Sequence, residues 1–178
     1  MITFVSRCNY GIWLLALAFA LALGGAGWAQ NDKPTSPEYA SLYRQAVAFL
    51  EEAEKQLSAG NRAAALAQVK KANELFTRLQ KECGSLLAEG QLAPKDDQQL
   101  AINQKLADEA QAQADRLLET AAAKKKQARE LEAKGQAEAA EAAFRESREG
   151  YLQAQTLSIK AAIYALSNQQ IIFRFLAP

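Results

Sequence analysis

Three features of the sequence predict an all-α fold. Of 178 residues, 38 are Ala and 17 are Gln, while only nine are Gly and four are Pro. Such a mix favours helix and offers few points at which a helix must stop. Apolar residues recur at spacings of three and four over long stretches, the period of a helix with one buried side. The spacing predicts two antiparallel helical hairpins, four main helices in all, with the third and fourth long.

The first 29 residues differ from the rest. Arg7 is their only charge, Ile12 to Leu23 form an apolar run, and small residues close the segment at Gly27-Trp28-Ala29. A basic start, a short apolar core and a small-x-small site predict a secretory signal peptide, residues 1–29, cleaved after Ala29. Retention as an anchor is the alternative. The run to Trp28 contains Gly24, Gly25 and Gly27 and is short for a span of roughly 30 Å of hydrocarbon. On this reading the protein is exported, to the periplasm or the cell exterior. Membrane association is expected only if the segment stays uncleaved.

Residues 30–36 are polar and read as a flexible lead-in. Ser36-Pro37-Glu38 supplies a capping hydroxyl, a proline suited to a first helical position and an acid for the first turn. Tyr39, Leu42, Tyr43, Ala46, Leu50, Ala53 and Leu57 then mark one face of a first helix. Gly60 ends it, free to adopt a left-handed conformation. A second helix is expected from Arg62 to Cys83, with Ala65, Val69, Ala72, Phe76 and Leu79 on its inner face. A link this short makes the two helices antiparallel neighbours. Residues 37–95 thus form the first hairpin with its connecting loop, in which Leu86, Leu87 and Leu92 turn inward.

Residues 96–167 form the second hairpin. Asp96 and Asp97 suit the positive end of a helix dipole. No Gly or Pro follows until Gly135, so a third helix of about 57 Å is expected. Its buried side is read as Leu106, Ala110, Ala114, Leu117, Ala121, Ala128 and Leu131. So many alanines imply close approach of a neighbouring helix. A fourth helix is expected from Ala137 to Ser167, burying Ala140, Phe144, Tyr151, Ala154, Leu157 and Ala161. Residues 168–178 are set apart as an apolar tail.

The two hairpin turns share a spacing. Gly60 is followed by Ala65, Val69 and Ala72 at five, nine and twelve residues, and Gly135 by Ala140, Phe144 and Ser147 at the same distances. Glycine lets the chain reverse, the small residue lets the helices approach, and the larger one fills the groove a turn later. This pattern resembles the second half of a tetratricopeptide repeat. It departs from that family at Gln56, where an aromatic is usual, and in the interval between the turns, which is no multiple of the repeat's roughly 34 residues. The resemblance implies a protein- or peptide-binding scaffold with no chemistry of its own. Gly60, Ala65, Val69, Gly135, Ala140 and Phe144 are its packing positions.

Composition narrows the function. The chain has 21 Lys+Arg, 20 Asp+Glu and no His. The missing histidines exclude His-ligated metal sites and imidazole acid–base or nucleophile systems. The near-balanced charge argues against nucleic acid as a partner. Lys124-Lys125-Lys126 reads as a solvated helix face. Glu51, Glu52 and Glu54 point in different directions around a helix and read the same way. No catalytic, cofactor-binding or metal-ligating residue is assigned, and no cofactor is expected. Cys8 leaves with the signal segment, so Cys83 has no internal partner; it reads as a small apolar helix residue, with a Cys83-linked homodimer as the alternative.

The tail is the anomaly. Ile171, Ile172, Phe173, Phe175 and Leu176 cluster at a chain end where polar residues are usual. They either fold back to complete the core or dock on a partner, as an added edge strand for example. The function expected is a non-enzymatic protein-binding or assembly scaffold of the cell envelope, its partner another envelope protein. A coiled-coil-like periplasmic holdase or envelope spacer is the alternative, and a carboxylate-based enzyme the third reading.

Overall fold

The computed structural model describes residues 37–84 and 92–177. The signal-like segment, the lead-in, Leu86 and Leu87 lie outside the described residues. Four helices, α1 (Pro37–Ser58), α2 (Arg62–Cys83), α3 (Pro94–Ala133) and α4 (Ala137–Ile172), are followed by one 3-10 turn, Arg174–Leu176. Among the described residues the fold is all-helical.

Both hairpins reverse at glycine. Gly60 and Gly135 have φ of 79° and 75°, a region closed to most side chains by the Cβ atom. In each turn the residue after the glycine donates its backbone N–H back into the preceding helix, Asn61 to Gln56 O and Gln136 to Leu131 O. These bonds satisfy carbonyls that a helix end leaves open.

The helices are not two equivalent hairpins side by side. Of the four described α-helices, α3 packs on α4 alone, whereas α1 and α2 pack on each other and on α4. Helix α4 is therefore the shared element, and it carries two faces. Toward α3 it presents Ala140, Ser147, Ala154 and Ala161, buried and seven residues apart. Helix α3 answers with Ala107, Ala114, Ala121 and Ala128, buried at the same interval. A strict seven-residue repeat of small side chains is a narrow coiled-coil seam. The backbones approach closely along it: a Cβ built on Gly150 would stand 3.0 Å from Ala121 Cβ.

Polar groups fix the register of this seam. Buried Ser147 donates its hydroxyl to Ala121 O, and Asn168 Nδ2 donates to Leu100 O. Each bond removes an otherwise costly unpaired group, and a one-turn slip of the helices would break both. The outer side of α3 has no neighbour and sustains itself locally. Gln104–Asp108, Gln111–Asp115, Lys105–Glu109 and Lys126–Glu130 are all four-residue pairs. Such pairs add about 0.2–0.5 kcal/mol apiece to an exposed helix.

The opposite face of α4 holds larger residues. Ile159, Ile163 and Leu166, with Phe173 just beyond the helix, are buried in one core with Leu42, Tyr43, Leu50, Val69, Phe76 and Leu79. Tyr43 and Phe76 meet edge to face with ring centroids 6.5 Å apart. This core makes a head from α1, α2 and the C-terminal part of α4.

Three sequence expectations are corrected. Leu106 and Tyr151 are exposed, at 37% and 36%. Each sits next to a seam position, and with a single neighbouring helix the buried strip is too narrow to include it. Ala107 and Ser147 take the inner places instead. Helix α4 does not stop at Ser167 but runs to Ile172. Asn168 is anchored on α3, and Gln170 O accepts a hydrogen bond from Tyr43 Oη, so this polar stretch is held as helix from both sides. Helix α3 begins two residues before Asp96, at Pro94, a proline tolerated where the missing N–H would be unpaired anyway.

The alanine seam gives a direct prediction. Ala121→Leu, at a site with no room, is expected to lower unfolding free energy by about 1–3 kcal/mol in urea melts. The same change at exposed Ala122 is expected to leave it within about 0.5 kcal/mol of wild type.

Candidate functional site

The apolar C-terminal residues divide by burial. Phe173 and Leu176 are fully enclosed in the head core, Ile172 and Phe175 are half-buried against it, and Ile171 is half-buried. The 3-10 turn that carries Phe175 and Leu176 is tied down at Arg174, whose Nη2 donates to Asp96 Oδ2 at 2.6 Å. The same carboxylate oxygen accepts the Ala93 N–H at the start of α3. One buried acid thus caps α3 and fastens the end of the chain. The Arg174 bond, then the Ala93 bond, hold the Asp96 carboxyl below the usual carboxylate range. Burial acts oppositely on nearby Tyr43, raising its phenol, and the positive Arg174 partly offsets this.

The packing positions at the hairpin turns fall where the helices meet. Ala65, Val69 and Ala140 are buried, and Phe144 is half-buried. Cys83 is completely enclosed at the end of α2, and burial raises its thiol above the ordinary value, with Glu82 adding to the effect. Both effects oppose formation of the thiolate that disulfide exchange needs. The carboxylates of α1 are dispersed: Glu51 and Glu54 are exposed, while Glu52 accepts from Gln56. In the lysine run, Lys124 pairs with Glu146 at 2.6 Å and Lys126 with Glu130 at 4.0 Å. Among the described residues no group of three or more His, Cys, Asp or Glu is placed to hold a metal ion. No described helix is long and apolar enough to cross a membrane.

The feature that sequence reading missed lies where the head ends. The α1–α2 turn reaches α4 near Leu152, and from there to Gly135 only α3 and α4 continue. These 15 residues of α4 project as an arm about 22 Å long at 1.5 Å per residue. At its base an open cleft of about 450 Å³ is lined by Asn61, Arg62, Ala63, Ala64, Leu152 and Gln155. Leu152, on its wall, is 39% exposed, and adjacent Tyr151 is 36% exposed. The one signal in the sequence was the pairing of Tyr151 and Leu152, which cannot both turn toward a single neighbouring helix.

No protein-family model, curated protein or solved structure matches the chain.

Two tests follow from these contacts. Asp96 contributes to stability as a carboxylate, fully above the ordinary value near pH 4 and progressively less as pH falls through its lowered folded value. Melting temperatures between pH 2 and 6 should therefore fall more steeply for wild type than for Asp96→Asn. Cys83 should resist a thiol reagent in the native protein and react fully in denaturant. Fast native labelling would show that the end of α2 opens readily.

Proposed function

We propose that the chain is an exported, non-enzymatic protein-binding or assembly domain of the cell envelope. The observation that carries this reading is the arm, which leaves a head with its own core and has an open, partly apolar cleft at its base. A helical projection beside a shallow depression offers a partner two neighbouring contacts. The export part rests on the basic, apolar and small-residue pattern of residues 1–29. The tetratricopeptide-like spacing at the two turns supports the same role. The buried seam of α3 and α4 favours, as a second reading, a spacer whose arm sets a distance in the envelope.

Site-specific photocrosslinking separates them. A benzoylphenylalanine replacing Leu152 in the full chain is expected to give one discrete adduct in native envelope, and the same group at exposed Lys81 none. Adducts only from Gln136, at the arm's tip, support the spacer instead. Adducts from none of the three sites would sink both readings.

A further inference from the structure

We propose that one flank of the α3–α4 pair is the interface of a homodimer, in which two copies of the chain set these flanks face to face. This flank lies on a different side of α4 from Leu152, so the dimer stands apart from the cleft reading above. It is marked by the ion pair of Lys124 on α3 with Glu146 on α4. Leu106 lies 18 residues before Lys124 and Tyr164 18 after Glu146, so each is five full turns away on the same side of its helix. Ile102 and Leu117 of α3 and Leu157 of α4 fall within about 40° of those directions. Ile102 and Leu106 are exposed, at 43% and 37%, while Leu117, Leu157 and Tyr164 are half-buried. Helix α3 has no other described helix to cover this strip, and α4 meets the head through Ile159, Ile163 and Leu166, on its other sides. A second such pair laid against the strip completes a four-helix bundle.

The order of charges along the edges of the strip selects a second copy. The bonds of Ser147 to Ala121 O and of Asn168 to Leu100 O set the register of the two helices. In that register Glu109 stands level with Lys160, and Arg116 stands within about one turn of Glu149. Lys160, Arg116 and Glu149 form no ion pair among the described residues, and Glu109 has only Lys105, at 3.8 Å. A two-fold axis parallel to the helices keeps each residue at its own level and lays α3 of one copy on α4 of the other. Glu109 then meets Lys160 of the second copy and Arg116 meets its Glu149, each contact made twice. A flank about 27 Å long and about 20 Å wide covers about 500 Å² on each copy, the lower end of specific interfaces, so the dimer is concentration-dependent.

The test is sedimentation velocity of the full chain from about 1 to about 100 µM, where monomer is expected to pass to dimer. Leu106→Glu, at an exposed site, is expected to weaken association at least about tenfold with circular dichroism unchanged. Lys160→Glu is expected to weaken it about fivefold or more at low salt. Adding Glu109→Lys to the same chain is expected to restore the dimer, a rescue that loss of folding cannot produce. A monomer at every concentration, a dimer indifferent to Leu106→Glu, or a charge swap that restores nothing overturns the proposal. So does a chain that stays monomeric while a benzoylphenylalanine at Leu106 crosslinks a different envelope protein, which would give the flank to that protein. None of these results bears on adducts from Leu152, which test the binding role at the cleft.

Discussion

Everything in this structure hangs on one helix with two incompatible requirements. Helix α4 must let α3 come close on one side and give the α1–α2 hairpin something large to bury on the other. Ala140, Ser147, Ala154 and Ala161 meet the first need, and Ile159, Ile163 and Leu166 meet the second. Neither α3 nor the first hairpin touches the other among the described residues, so neither can compensate for a fault in α4. The two faces also hold by different means. The hairpin is held by the hydrophobic effect, since branched and aromatic side chains leave water there. The alanine seam removes little area from water, and relies on close van der Waals contact, good intrinsic helix propensity and a few hydrogen bonds.

This division explains which parts of the fold were legible in the sequence. The first hairpin was read almost residue by residue, because its stripe is of large side chains and its turn has an unmistakable glycine. Helix α2 runs from Arg62 to Cys83 as expected. The second hairpin was legible as helices but less so as faces. A wide stripe was assumed for α3, which placed Leu106 inside; the true strip is set by having one neighbour rather than two. The seven-residue alanine repeat was present in the letters, but alanine is so common here that its regularity did not stand out.

The candidate site was less legible still, for a physical reason. The cleft exists because the tip of one hairpin reaches a particular level on α4, near Leu152, and nothing local to either segment encodes that level. It follows from how Ile159, Ile163 and Leu166 seat against the first core, which is a tertiary property. The C-terminal residues posed the opposite problem. Their composition was conspicuous, but whether Phe173 and Leu176 lie inside depended on Tyr43 and Asp96, far away in sequence.

The hydrogen bond from Tyr43 Oη to Gln170 O spans 127 positions of the chain. With Phe173 and Leu176 in the same core as Leu42 and Cys83, the head draws its two halves from segments far apart along the polypeptide. A chain made from its N-terminus presents α1 and α2 long before the residues that close over them exist. The first hairpin must wait with Leu42, Tyr43 and Leu79 short of their cover until the residues from Ile159 to Leu176 have been made. The head is therefore a late-closing structure, loose during synthesis and sealed only once α4 and the 3-10 turn are present. Such a delay keeps a polypeptide threadable, and it also marks the interval in which a chaperone would find the most to hold.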